Sequence, residues 1–188
     1  MDPSDLPAPR VRLFGREADE RAIRSLLASA PGRLVTIVGP GGCGKTSLAL
    51  EVANQVVRAI ADEGYWIPLD QCADAASVPG FVAAAIGCGA GPATSPEAAI
   101  LAQLRGSESL LVLDNCEHVT RPIARLVDRV LDRCRDVRIL ATSRSPLGVR
   151  GEQVYILHPL QAPAPKDFAN PDQLARIPSV EMYLDRRG

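Results

Sequence analysis

The apolar run LVTIV at residues 34–38 passes directly into GPGGCGKTS at 39–47, which opens a stretch patterned as a long helix. Nothing else in the chain restricts its fold as much. Gly39, Gly41, Gly42 and Gly44 fall within six positions, a density that would weaken any regular element. The chain must therefore turn here from a buried strand into a helix, through backbone that approaches a ligand closely and takes positive φ. The spacing Gly39-x-x-x-x-Gly44-Lys45-Thr46 is the phosphate-binding pattern, in which loop amides cradle phosphate oxygens. Lys45 would reach the terminal phosphates and the Thr46 hydroxyl would bind magnesium, with Cys43 and Ser47 completing the nucleotide-binding set. Because a helix begins at the loop, its N-terminal partial charge points at the same anion.

Hydrophobic periodicity sets the elements around this loop. A helix is expected over Glu17 to Ala30, ended by Pro31-Gly32, and a second over Lys45 to Asp62. Strands are expected at Leu34 to Val38, Tyr65 to Leu69, Leu110 to Leu113, Val137 to Ala141 and Gln153 to Leu157. Two short helices, Val78 to Ile86 and Pro96 to Leu104, and an amphipathic one through Ile123, Leu126, Val127, Val130 and Leu131 separate the later strands. Strands alternating with helices, most of them apolar on both faces, predict an α/β chain with a parallel sheet covered on both sides. The expected fold is a P-loop NTPase three-layer sandwich with a five-stranded parallel sheet ordered 5-1-4-3-2. Residues 1–12 read as an N-terminal tail, 13–160 as the nucleotide-binding domain, and 161–188 as a proline-rich linker and the start of a truncated helical lid.

Two further segments supply candidate chemistry. Leu110-Leu111-Val112-Leu113-Asp114 is a buried strand ending in a carboxylate, suited to hold magnesium opposite Thr46. Asn115 follows, where an acid would polarise the attacking water; an amide cannot take a proton, so hydrolysis is expected to be slow or conditional. Glu117 is a base candidate set against a plain loop glutamate. Strand four ends in Ala141-Thr142-Ser143-Arg144, and with that strand between the first and third, Arg144 would read the γ-phosphate; Arg150 is the next candidate.

Composition excludes other classes. Basic and acidic residues number 21 and 22, so no global field marks a nucleic-acid binder. No apolar run reaches the length of a membrane span, and residues 1–5 lack the pattern of a signal peptide, so a cytoplasmic protein is expected. Five cysteines without a C-x-x-C pair read as reduced, small apolar residues. The arginines at 121, 125, 129, 133 and 135 interleave with Asp128, Asp132 and Asp136 and read as a solvated helix face.

Phe14-Gly15-Arg16-Glu17, GPGGCGKTSLALEVA, LLVLDNCEHV, ILATSRSPLGVRGE and VYILHPL occur in this order between residues 13 and 160. Together they resemble the STAND class of signalling ATPases, in particular the NB-ARC-type nucleotide-binding module of large bacterial transcriptional regulators. The resemblance implies an ATP/ADP switch using Mg2+, with Phe14 and Arg16 beside the adenine, and Lys45, Asp114, Asn115 and Arg144 as the catalytic set. It also implies further regulator domains in cis and nucleotide-dependent self-association of a parent protein. The histidine that holds ADP in that class lies in a later domain; His118 and His158 are not in its place. Two other readings stand beside the switch: a small P-loop phosphotransferase, and a scaffold that does not use nucleotide.

Overall fold

The computed structural model of the chain describes residues 6–9, 11–29, 32–89 and 94–186. Its elements run α1 (Glu17–Ala28), β1 (Leu34–Val38), α2 (Lys45–Ile60), β2 (Glu63–Pro68), α3 (Val78–Ala85), α4 (Pro96–Leu104), β3 (Ser109–Asp114), α5 (Thr120–Arg133), β4 (Arg138–Ser143), β5 (Gln153–Ile156), α6 (Pro171–Ala175) and α7 (Pro178–Asp185). The sheet order is β2-β3-β4-β1-β5 and every pair is parallel. Read from the other edge, this is the expected order 5-1-4-3-2.

Strand alternation divides the core into two layers. Leu34, Ile139, Ala141, Leu111 and Leu113 face α3, α4 and α5, while Val35, Ile37, Leu110, Val112 and Leu140 face α1 and α2. This two-sided burial is why β1, β3 and β4 read as continuous apolar runs. Each fully buried Leu or Ile contributes about 1.5–3 kcal/mol through loss of apolar surface to water. Trp66 packs partly buried against the α1–α2 layer. The edge strand β5 departs from the pattern: Val154 and Ile156 are 43% and 62% exposed, because the α3–α5 layer stops short of this edge.

Element ends move by a few residues from expectation. β3 and β4 run past their expected ends, to Asp114 and Ser143, since ladder bonds continue past the last apolar side chain, while β2 begins earlier, at Glu63, and stops at Pro68, short of Leu69. The expected end of α1 at Ala30, with Pro31 after it, lies outside the described residues, as do residues 1–5 and 10 of the 1–12 tail. The proline-rich stretch after Pro159 is not wholly extended: it carries a 3-10 turn at Pro165–Ala169 and the short α6, whose N-terminus Asn170 caps by accepting from Asp172 N and Gln173 N. Cys72, Cys116 and Cys134 are buried free thiols, and Cys43 and Cys88 are half-buried. Among the described residues no helix is long and apolar enough to cross a membrane. On α5, Arg129 pairs across to Glu97 of α4 rather than within its own helix.

One contact had no sequence signal. Arg33, just before β1, donates Nη1 to Leu131 O at 2.8 Å, Nε to Val137 O at 3.3 Å, and Nη2 to Cys134 O. Its guanidinium thus satisfies carbonyls at the C-terminal end of α5, where the helix dipole also favours positive charge. Desolvation lowers the Arg33 pKa, so the contact is partly withdrawn from water. Arg33→Met should reduce stability by about 2 kcal/mol in denaturant unfolding, with Arg33→Lys recovering only part of the loss because one ammonium cannot reach three divergent carbonyls.

Candidate functional site

The glycine loop is anchored at its base and open at its tip. Gly39 N donates to Ser143 O of β4 at 3.3 Å, and Leu157 N donates to Val38 O at 2.7 Å, so both neighbouring strands hold the exit of β1. A Cβ on Gly39 would come within 2.6 Å of Leu157 O, which leaves glycine as the residue that fits. At the tip, Gly42 and Gly44 have φ of +77° and +94°, and a Cβ on either would meet nothing within 4 Å. The loop backbone therefore borders open space at the N-terminus of α2, where amides and helix dipole together can take an anion. Lys45 is only 9% exposed, and its ammonium donates to Gly39 O and Pro40 O, both at 2.9 Å. Loop carbonyls thus satisfy this buried charge without an anion.

Opposite the loop, Asp114 ends β3 and is 7% exposed. Thr46 Oγ1 donates to Asp114 Oδ1 at 2.9 Å and lies 3.2 Å from Oδ2, and Thr142 Oγ1 donates to Oδ1 at 2.6 Å. Thr142 Oγ1 also accepts from Asn115 N at 2.9 Å. Burial pushes the Asp114 carboxyl above the usual carboxylate range, the threonine hydroxyls pull it back, and the nearby charges of Asp70 and Glu117 push it further up. All the donors gathered here are oxygens and one is a buried carboxylate short of positive charge, which fits a hard divalent cation such as Mg2+. The role of Thr142 escaped sequence reading; its signal was a hydroxyl at the end of the strand adjacent to the one carrying Asp114.

Asn115 takes the left-handed conformation, φ 65°, which asparagine tolerates better than most residues. In the orientation that satisfies both ends of its amide, it donates to Glu117 Oε1 and Oε2 at 2.9 and 3.1 Å. Arg144 Nε donates to Glu117 Oε1 at 3.1 Å, and Arg144 Nη2 lies 3.8 Å from where a Gly41 Cβ would sit. Arg144 therefore spans from the glycine loop to Glu117. The loop beyond it is braced by Glu152, which accepts from Leu147 N and Gly148 N at 2.8 Å each, with Leu147 and Val149 buried beneath. Arg150 sits with Arg33 and Leu34 at the opposite end of β1, roughly 17 Å of strand from the glycine loop, which removes it as a γ-phosphate candidate.

A cavity of about 270 Å³ lies beside the loop, between Leu13, Phe14, Gly42, Cys43, Gly44 and Ser47 on one side and Ser179, Met182 and Arg186 of the α7 region on the other. Phe14 is nearly buried, with the Arg12 guanidinium 5.0 Å above its ring. Arg16 also lines the cavity, with three of its guanidinium hydrogens given to protein acceptors. Nη2 donates to Cys43 O and His158 O, both at 2.9 Å, and Nη1 donates to Asp19 Oδ2 at 3.1 Å. Tyr155 OH donates to Asp19 Oδ1 at 2.5 Å, and its pKa is pushed up to about 12 by burial and by that carboxylate.

The raised carboxyl of Asp114 makes a testable pair of opposite effects. Its folded pKa lies above the unfolded one, so ionised Asp114 destabilises the nucleotide-free fold above that pKa, and the cost fades as pH falls through it. At pH 7.5 without nucleotide, Asp114→Asn should melt a few degrees above wild type, the gap narrowing toward pH 5. With MgATP the order should reverse, because only wild type gains from the cation. Thermal melts at both pH values, with and without MgATP, check both signs.

The AAA ATPase domain family matches residues 12–147. A Mycobacterium tuberculosis protein named as an HTH-type transcriptional regulator is 37% identical over 130 residues, covering 69% of this chain and 14% of its own length. The regulatory protein AfsR of Streptomyces griseus is 34% identical over 126 residues, covering 61% of this chain and 13% of its own length. The chain thus spans a small part of these relatives. Among solved structures, a STAND protein with a tetratricopeptide repeat sensor from Pyrococcus horikoshii superposes with a TM-score of 0.57 at 19% identity, covering 94% of this chain and 26% of that one. Cdc6p from Pyrobaculum aerophilum gives 0.63 at 17% identity, covering 97% and 52%. At such identities the likeness is one of fold. The family match takes in the glycine loop, the strand ending in Asp114 and the Arg144 turn, and the chain belongs to the AAA ATPase domain family.

Proposed function

We propose that the chain is an adenine-nucleotide switch module of a larger signalling or transcriptional regulator, of the STAND, NB-ARC-like kind, with slow or conditional ATP hydrolysis. One observation carries the reading: the open, left-handed Gly42–Gly44 concavity at the start of α2 converges with Lys45, Thr46 and Asp114. The regulator context rests on the M. tuberculosis and S. griseus relatives, which are longer proteins named as regulators. In this reading the working unit is 13–160, with 161–188 the beginning of a lid, and the module acts in the cytoplasm, joined in cis to further domains.

The amides of Gly41, Gly42 and Gly44 bind phosphate oxygens, and Lys45 exchanges its carbonyl partners for the terminal phosphates. Thr46 and Asp114 would hold Mg2+, which supplies charge neutralisation across the phosphates. Leu13, Phe14 and Met182 wall the cavity for the base, and the backbone around Cys43 and Ser47 binds the inner phosphate. Arg144, reaching the loop at Gly41, contacts the γ-phosphate and so separates ATP from ADP.

Lys45→Ala should abolish MgATP and MgADP binding measured by titration of a fluorescent analogue; equal binding by both proteins would overturn the reading. Arg144→Ala should weaken ATP several-fold and leave ADP nearly unchanged in calorimetry, since one charge-assisted contact at an exposed side chain is worth less than the roughly 1.5–3 kcal/mol of a buried one. Equal losses for both nucleotides would make Arg144 an ordinary loop residue.

A further inference from the structure

Gly64 interrupts β2, and a glycine inside a strand weakens it unless another group approaches closely there. A Cβ at that position would stand 2.9 Å from Leu6 Cγ and 2.6 Å from Val57 Cγ2. The missing side chain leaves a notch beside the last turn of α2, and Leu6 fills it, half-buried against the α1–α2 layer. From there the chain follows α2 back toward the glycine loop. Asn54 Nδ2 donates to Pro7 O at 3.1 Å, Pro9 and Val11 border a cavity shared with Glu51, and Leu13 joins Ser47 in the wall of the cavity beside the loop. Val57, Asn54, Glu51 and Ser47 fall at the spacing of a single helix face, and the helix rises about 15 Å from one end of that stripe to the other. The family match begins at residue 12, so the anchored part of this path lies outside it.

Among the described residues, none of 6–13 takes part in a backbone–backbone hydrogen bond. The course of the segment is therefore set by the Leu6 side chain, by the Pro7 carbonyl and by half-buried Leu13. We propose that residues 6–12 are a strap along α2 rather than a tail, and that Leu6 is a positioning residue for the nucleotide base, acting through Val11 and Leu13. This inference rests on the nucleotide reading above. With Leu6 docked, the wall formed by Val11, Leu13 and Phe14 is in place before a base arrives. With Leu6 released, binding has to order the segment first, and that cost comes out of the affinity. By linkage, a nucleotide held against this wall favours the docked Leu6 by the same factor. The strap reaches the base side of the cavity and not the glycine loop at Gly41, so ATP and ADP feel it equally.

Calorimetry with MgATP and MgADP on the full chain compares wild type, Leu6→Asp, Leu6→Met, Asn54→Ala and Arg33→Met at a temperature where all remain folded. Leu6→Asp should weaken both nucleotides alike, by about fivefold. Leu6→Met, which can refill the notch, should bind within twofold of wild type, and Asn54→Ala should fall between the two. Arg33→Met, which destabilises the opposite end of the sheet, should leave both affinities unchanged. In wild type, with no substitution needed, saturating MgADP should slow hydrogen exchange at the amides of Leu6 and Ala8, remote from the cavity, by the factor that Leu6→Asp loses in affinity. The inference is overturned if Leu6→Asp binds within twofold of wild type, if exchange at Leu6 and Ala8 ignores MgADP, or if Leu6→Met or Arg33→Met loses as much affinity as Leu6→Asp. Failure of wild type to bind either nucleotide, or retained binding by Lys45→Ala, overturns instead the nucleotide reading on which it rests.

Discussion

The parallel pairing of β1 with β4 is the constraint on which the site depends. The register sets Val38 opposite Ser143, and Gly39 N continues the ladder to Ser143 O, so the first residue of the glycine loop is bonded to the strand that delivers Arg144. The same strand pairs with β3, which brings the Thr142 hydroxyl against Asp114. Three sequence segments more than a hundred residues apart at the extremes, Gly39 to Arg144, thus meet because one strand sits between two others. The helices bury the apolar faces that make that strand order stable.

The site also carries unfavourable electrostatics. Asp114 holds its carboxylate in a buried position with two threonine hydroxyls in place of water, and negative neighbours at Asp70 and Glu117. Lys45, also buried, is satisfied by loop carbonyls rather than by Asp114. The two opposite charges are thus each held by neutral groups, the carboxylate by threonine hydroxyls and the ammonium by backbone carbonyls, rather than by one another.

Much of this was legible in the sequence. The glycine spacing, its strand before and helix after, and the apolar strand ending in Asp114 are local patterns, and the fold follows from them together with strand–helix alternation. What was hidden is non-local. Arg33 reads as a loop arginine until the end of α5 is seen above it, and Thr142 reads as a β-former until Asp114 is seen beside it. Glu117 is ambiguous in sequence because a loop glutamate is recognised as engaged only through its partners, and Arg144 lies far along the chain. Arg150 misled in the opposite sense: it is near Arg144 in sequence, but the Glu152-braced loop carries it to the far end of the sheet.

Arg16 adds a side-chain tie between two segments that the backbone already joins at the end of β1. A single terminal nitrogen, Nη2, gives its hydrogens to Cys43 O in the glycine loop and His158 O after β5, while Nη1 is pinned by Asp19, itself pinned by Tyr155. The separation of the loop from the start of the 158–186 segment is thereby gauged by the width of one planar group. The chain leaving the domain therefore cannot swing away from the loop without one of the two carbonyls losing its guanidinium partner, so the exit path of the polypeptide is set from inside the glycine loop.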